Sequence, residues 1–276
     1  MSTSTTEQQR VATWIQQHGA EATAVSLSIV VPAFNEERRL PPTLIDMIDF
    51  CDSNISSYEI IVVDDGSSDK TSATVQKFTK VCPHVRLIRL PRNQGKGHAV
   101  RLGVLSSRGE RILFADADGA TPISELQRLL DAISSGADVV IGSRAKPSTD
   151  TTVNTVIYRK LLGRIFNKCV NLILLPGVSD TQCGFKLFTK QAAAFLFSQQ
   201  RSDRFSFDVE LLFLAQRVGF KAVEVPINWT NIPGSKVNLV TDALAMFRDI
   251  LKFKVLHHSV NRSTLEQFIS EQTTNC

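Results

Sequence analysis

Two aspartates one residue apart, Asp116 and Asp118, end the apolar run Ile112–Ala115, and Gly119 and Pro122 follow them. The pattern implies a buried strand whose carboxyl end delivers two carboxylates to one place. Like charges that close repel, and a folded chain tolerates them best around a cation. Two carboxylates completed by phosphate oxygens and water suit Mg²⁺ or Mn²⁺. Asp116 and Asp118 are therefore the candidate metal ligands and catalytic residues, with a diphosphate as the partner of the ion. Capping of a helix that begins at Pro122 accounts for one aspartate but not for both.

Three more turns carry polar residues behind short apolar runs. Pro32, Ala33, Asn35 and Glu36 follow Leu27–Val31. A dinucleotide-dependent dehydrogenase has a G-x-G-x-x-G turn at such a place, so hydride transfer is disfavoured; helix capping by Asn35 and Glu36 is the simpler alternative. Asp64, Asp65 and Gly66 follow the next run. Adjacent carboxylates there can accept hydrogen bonds from a ribose or a base, whereas an N-cap explains only one of Ser67, Ser68 and Asp69. Gly95 and Gly97 flank Lys96 where a helix begins, which suits a phosphate, although the P-loop spacing is absent and a plain loop fits as well. Four such turns behind four successive strands point to one ligand at one sheet edge.

The elements that must position these turns alternate. Strands are expected at Leu27–Val31, Glu59–Val63, Val85–Leu90, Ile112–Ala115 and Asp138–Gly142. Helices are expected at Leu40–Phe50, Thr71–Lys80, Lys96–Ser106 and Ile123–Ser135. Short apolar strands separated by helices indicate an α/β fold with a mostly parallel sheet. After Arg144 come a polar loop to Asn154 and a long basic, apolar helix, Ile157–Leu175. Thr181–Leu187 reads as a polar turn leading to a helix at Gln191–Phe197. A helix at Phe207–Arg217, a strand at Ala222–Trp229 and an amphipathic helix at Val237–Leu256 complete the pattern. Residues 1–24 read as a polar, loosely ordered leader, with a short helix at Val11–Gln17 as a further option. A catalytic domain then spans 25–235, an interface helix 236–260 and a frayed tail 261–276.

Of the 276 residues 43% are hydrophobic and 21% charged, which supports a real core. The net charge of +4 permits an anionic partner without requiring nucleic acid. Few aromatics accompany the basic residues, so a nucleic-acid stacking surface is not expected. Five scattered cysteines with no Cys-x-x-Cys suggest reduced thiols in a cytoplasmic setting. No apolar run reaches the length of a transmembrane helix, so any membrane contact is expected to be peripheral.

Taken together, Pro32-Ala33-Phe34-Asn35-Glu36, Asp64-Asp65-Gly66-Ser67 and Asp116-Ala117-Asp118 resemble the motifs of the inverting family-two glycosyltransferases of the GT-A (Rossmann-like) fold. Gly95-Lys96-Gly97, Ile141-Gly142-Ser143-Arg144, Asp180-Thr181-Gln182-Cys183-Gly184-Phe185-Lys186 and Gly234-Ser235-Lys236 narrow the resemblance. They are similar to the dolichyl-phosphate (polyprenyl-phosphate) β-glucosyltransferases, relatives of the dolichyl-phosphate mannose synthases. The resemblance covers Ser26 to Lys254. It implies that Pro32, Ala33, Asn35, Glu36, Asp64, Asp65 and Gly66 line the nucleoside pocket. Gly95, Lys96, Gly97, Asp116, Ala117, Asp118 and Gln182 would meet the rest of the donor, Asp118 being the nearer metal ligand. Arg144, Arg159, Arg164 and Lys186 would hold or border the acceptor phosphate. Mannose-transferring relatives often carry a glutamine at the position of Ala120, which here removes one metal ligand.

The activity implied is inverting transfer of glucose from UDP-glucose to a dolichyl or other polyprenyl phosphate. The alternatives are another sugar, such as mannose from GDP-mannose, a hydroxyl acceptor, or a non-catalytic nucleotide-sugar-binding scaffold. A phosphate acceptor is already an anion at neutral pH, with a second pKa of about 6, and needs no strong base. With a hydroxyl acceptor Asp208 or Glu210 would serve as the base; otherwise they hold donor hydroxyls, or one is a solvated helix carboxylate. The two basic amphipathic helices can lie on the cytosolic face of a membrane or pack on the core.

Overall fold

The computed structural model describes residues 24–146, 148–154, 157–234 and 241–274, with the backbone alone for 157–162, 164 and 241–244. The leader with its Val11–Gln17 helix lies outside the described residues. The strands are β1 (Leu27–Ala33), β2 (Tyr58–Asp64), β3 (Val85–Arg89), β4 (Arg111–Ala115), β5 (Val139–Ser143), β6 (Val153–Asn154), β7 (Phe185–Thr189), β8 (Ala222–Pro226) and β9 (Trp229–Thr230). The helices are α1 (Leu40–Asn54), α2 (Thr71–Val81), α3 (Lys96–Leu105), α4 (Leu126–Ser134), α5 (Ile157–Ile173), α6 (Lys190–Gln199), α7 (Phe207–Val218), α8 (Thr241–Leu256) and α9 (Arg262–Thr274).

Seven strands form one sheet in the order β3-β2-β1-β4-β7-β5-β8, and β6 pairs with β9 apart from it. Every residue of β1 and β2 is buried, because helices cover both faces of a parallel sheet. Alternation splits the core. Ile29 and Val31 face α1 and α2, whereas Val30 and Phe114 face α3 and α7. Helix α1 begins with Pro41 and Pro42, which need no hydrogen-bond donor in the first turn, and buries Leu40, Thr43, Leu44, Met47 and Cys51 at helical spacing.

Register positions the turns. β1 and β2 run level from Leu27↔Tyr58 to Ala33↔Asp64, so their exits lie side by side. β4 runs parallel to β1 and brings Asp116 to the same edge. β7 is antiparallel to both β4 and β5. It therefore presents its beginning at the edge where the parallel strands present their ends, with Ala115 opposite Phe185.

Three expectations need correction. Thr181–Leu187 is not a turn entering a helix: from Phe185 it is the central strand β7. The sequence hides this strand because Lys186 looks like a solvated residue, yet its side chain is fully buried. The expected strand to Trp229 breaks after Pro226, and Trp229–Thr230 pairs with Val153–Asn154 inside the expected polar loop. The tail is not frayed, since α9 packs on α7 and Phe268 sets its ring edge against Phe195 at 5.4 Å. Arg217 pins its approach by donating to the carbonyls of Val260 (2.8 Å) and His258 (3.0 Å).

At the sheet edge opposite the turns, Glu59 is buried and accepts hydrogen bonds from Ser28 Oγ and the Arg108 amide, both at 2.7 Å, while Arg86 and Arg108 pair with its other oxygen. Glu59→Ala is expected to lower stability by about 2–3 kcal/mol in a urea titration, because four donors lose their acceptor.

Candidate active site

The turns are bound to one another before any ligand enters. Asn35 has a left-handed φ of 55°, and its side-chain oxygen accepts from the amides of Ser68 (2.9 Å) and Asp69 (3.3 Å). Its own amide donates to Ser67 Oγ at 2.8 Å, and that of Glu36 donates to Thr71 Oγ1 at 2.8 Å. Asn35 thus joins the exits of β1 and β2, beyond any capping role. Pro32 and Ala33 are buried residues at the end of β1. Gly66 turns with a φ of 71°.

Asp64 requires a correction as a donor contact, and Asp65 already has partners in the protein. Asp64 is fully buried; it accepts from the Ser67 amide at 2.9 Å and from the Ser72 hydroxyl. Asp65 accepts from the amides of Gln94 (2.7 Å) and Gly95 (2.9 Å). Asp64 thus holds its own turn, and Asp65 ties the exit of β2 to the turn after β3. Gly95 has a φ of 109°, and a Cβ there would collide with the carbonyl of Asp203; Gly97 is buried beside it, with its carbonyl accepting from Gln200 Nε2 at 2.9 Å.

Asp116 and Asp118 lie together beyond β4, with the buried Ala117 between them. The Asp116 amide donates to the Gly184 carbonyl at 2.9 Å, and Lys96 Nζ sits 2.7 Å from its carboxylate. A Cβ at Gly184 would run into that carboxylate and force it to move. Asp118 accepts from the Ala120 amide at 3.1 Å and lies 3.6 Å from Arg39. Burial, then the charge of Asp116, raises its pKa, and Arg39 and Lys96 only partly offset this. Burial works against the Lys96 ammonium, but Asp116 and Asp208 outweigh it and keep its pKa above the usual value. The described residues contain no cluster of three or more acidic, histidine or cysteine side chains that could hold a metal alone. The aspartate pair fits a divalent ion that shares its remaining positions with diphosphate oxygens and water.

The helix carboxylates are corrected more sharply. Asp208 is buried and pairs with the fully buried Lys186, whose ammonium also donates to the Cys183 carbonyl at 2.6 Å. Lys186 is therefore not an acceptor-phosphate contact; it is enclosed beneath the site. Burial raises the pKa of Asp208 despite Lys186 and Lys96. Glu210 is fully buried, accepting from the amides of Arg201 (2.9 Å) and Ser202 (2.8 Å) and facing His257 Nε2 at 2.7 Å. Neither is a solvated carboxylate or an open base.

Of the residues expected to meet the acceptor, Arg144 is bidentate to Asp180 at 2.7 and 2.8 Å and lies 5.4 Å over the Trp229 ring. Burial opposes its charge, but Asp180 holds its pKa above the ordinary value. Gln182 Nε2 contacts Met246 Sδ on α8 at 3.1 Å. The side chains of Arg159 and Arg164 lie outside the described residues. Arg39 is the site residue that sequence reasoning missed: besides Asp118 it holds Glu36 through Nε at 2.7 Å and the Pro233 carbonyl at 3.2 Å. Its spacing of three from Glu36 at a helix start is the available signal.

Fold and site together define a GT-A glycosyltransferase. The chain belongs to glycosyl transferase family 2, whose sequence profile, Glycosyl transferase family 2, matches residues 28–197. It is 42% identical to the dolichyl-phosphate beta-glucosyltransferase of Mus musculus, covering 82% of this chain and 74% of that one. The enzyme of that name from Homo sapiens is 39% identical, over 87% of this chain and 78% of that one. The one from Saccharomyces cerevisiae is 37% identical, over 84% and 75%. Among solved structures, glucosyl-3-phosphoglycerate synthase from Mycobacterium tuberculosis with phosphoglyceric acid superposes with a TM-score of 0.59 at 19% identity, covering 83% of this chain and 78% of that one. The same synthase with Mn²⁺ and UDP-glucose gives 0.58 at 17%, over 87% and 81%. At these identities the likeness establishes the fold.

Two outcomes are expected here. Gly184→Ala should displace the Asp116 carboxylate and weaken Mn²⁺ binding in the presence of UDP by tenfold or more, read by electron paramagnetic resonance. Because the fold raises the pKa of Asp118, its charge destabilises the native state above that pKa. Asp118→Asn should therefore raise the thermal midpoint at neutral pH, and the gain should vanish as pH falls below the ordinary aspartate range.

Proposed function

We propose that the chain transfers glucose from UDP-glucose, with inversion, to the phosphate of dolichyl phosphate, giving a lipid-phosphate-linked glucose and UDP. The glucosyl group and the lipid acceptor are supported by relatives of 37–42% identity that carry the name dolichyl-phosphate beta-glucosyltransferase. The observation that carries the choice of a phosphate over a hydroxyl acceptor is the commitment of Asp208 and Glu210, both buried and paired. An acceptor that arrives ionised needs neither of them. One phosphate oxygen attacks the anomeric carbon from the face opposite the leaving UDP, the bond from that carbon to the diphosphate breaks, and no proton has to be removed first.

Asp116 and Asp118 would hold a divalent ion, Mg²⁺ or Mn²⁺, in keeping with the Mn²⁺ in the structural neighbour; such an ion supplies electrostatic stabilisation of charge on the departing diphosphate. Lys96 holds Asp116 in place at 2.7 Å, and Arg39 faces Asp118. The linked turns after β1, β2 and β3 form the nucleoside pocket, and Arg144 and the basic start of α5, with Arg159 and Arg164, receive the acceptor phosphate.

No described helix is long and apolar enough to cross a membrane. Helix α8 has two apolar faces. Met246, Ile250 and Phe253 are buried, while Phe247, Leu251, Val255 and Leu256 are exposed beside the exposed Arg248, Lys252 and Lys254. Ile165 and Leu172 of α5 are exposed as well. Packing on the core explains the first face. The second supports peripheral contact with anionic lipid at a cytosolic membrane face, where the lipid acceptor resides.

The test is an assay with UDP-glucose, GDP-mannose, dolichyl phosphate and a hydroxyl acceptor, with Mg²⁺ or Mn²⁺ and with chelator. Glucosyl transfer to the lipid phosphate, lost with chelator and reduced at least ~100-fold in Asp118→Asn, is expected. Preference for GDP-mannose or for a hydroxyl acceptor would overturn the reading.

A further inference from the structure

Glu224 lies on β8, remote from the aspartate pair along the chain, and its side chain is committed to a single task. Oε1 accepts from the Asp180 amide at 2.8 Å and from Ser143 Oγ at 2.9 Å; Oε2 accepts from the Ser179 amide at 2.8 Å. A carboxylate that receives two successive backbone N–H groups fixes the peptide between them. Asp180, held in this way, grips Arg144 three times: Oδ2 accepts from the Arg144 amide at 2.9 Å and from Nε at 2.7 Å, and Oδ1 from Nη2 at 2.8 Å. Trp229 supports the guanidinium face at 5.4 Å. Ser143 precedes Arg144, so Glu224 holds both ends of this clamp.

A guanidinium has five N–H donors in one plane. Asp180 occupies the edge formed by Nε and Nη2, and Trp229 takes a face. The remaining edge, containing Nη1, makes no hydrogen bond to the described residues and is directed by the first two constraints. We infer that Glu224 is a positioning residue for the acceptor: through Asp180 it presents the open edge of Arg144 in one orientation to the phosphate of the lipid. This rests on the reading of Arg144 as an acceptor-phosphate contact. An arginine free to rotate would bind the same anion less well, because orientation would be lost on binding. Among the described residues Glu224 is hydrogen-bonded to Ser143, Lys146, Ser179 and Asp180 and to none of the turns after β1, β2, β3 and β4, so the effect is expected on one substrate.

The experiment measures KM for dolichyl phosphate and for UDP-glucose separately in the wild type, Glu224→Ala, Glu224→Gln and Arg144→Ala. Glu224→Ala is expected to raise KM for dolichyl phosphate about tenfold and to leave that for UDP-glucose within about twofold. Glu224→Gln retains one carbonyl acceptor and the side-chain size, and should give an intermediate rise. It also carries the test if the alanine variant does not fold. An unchanged acceptor KM in the glutamine variant, or a parallel rise in both KM values, overturns the inference. If Arg144→Ala raises the acceptor KM while the Glu224 variants do not, the positioning role fails and the acceptor reading stands. If Arg144→Ala leaves the acceptor KM unchanged, the reading of Arg144 fails and the inference fails with it.

Discussion

Two carboxylates one residue apart at the end of a buried strand repel each other, and much of the surrounding architecture restrains that repulsion. Lys96 reaches Asp116 from the start of α3, and Arg39 reaches Asp118 from the start of α1. The Asp116 amide is tied to Gly184, and the Ala120 amide to Asp118. The balance is incomplete, since burial and mutual repulsion still raise the pKa of Asp118. A pair left in this state fits a divalent cation, and Ala120 offers no side-chain oxygen to one.

The same constraint extends to the arginine clamp of Arg144 and Asp180. The Thr230 amide donates to the Ala120 carbonyl at 2.9 Å, directly behind Asp118. Thr230 belongs to β9, which pairs with β6 just ahead of α5. Trp229, its neighbour, lies against Arg144. The aspartate turn and the arginine clamp are thus joined by a two-stranded ladder rather than by independent loops. Beneath them, Lys186 and Asp208 form an enclosed pair alongside Phe114, with Lys186 Nζ 6.0 Å from the ring centre. A buried pair of this kind adds little net stability, but removing one partner leaves an uncompensated charge. Its place is structural support for the floor of the site.

Much of this was legible beforehand. The alternation of apolar runs with amphipathic helices defines a mostly parallel α/β sheet, and the polar turns after β1, β2, β3 and β4 do gather at one edge. The roles within those turns were less legible. Asp64 and Asp65 read as ligand contacts because carboxylates at strand ends have that use, yet Asp64 is fully buried and both accept from backbone amides, those of Ser67, Gln94 and Gly95. A backbone N–H leaves no mark in a sequence, so the partner that satisfied each carboxylate could not be read. The strand β7 was hidden for a related reason: Lys186 is polar by type and buried by pairing, and its partner Asp208 is 22 residues away.

The sequence by itself determined which chemical groups were available and where strands and helices had to alternate, because hydrophobic periodicity and turn residues are local properties. It marked Asp116, Asp118, Lys96 and Arg144, whose types and neighbours carry the family resemblance. Only the tertiary structure decided which charges face the site and which are enclosed. It placed Arg39 against Asp118, withdrew Lys186, Asp208 and Glu210 beneath the surface, and linked Glu224 to Arg144 through Asp180. Those outcomes depend on contacts between distant segments and on β7, which runs antiparallel between β4 and β5, and no local pattern encodes them.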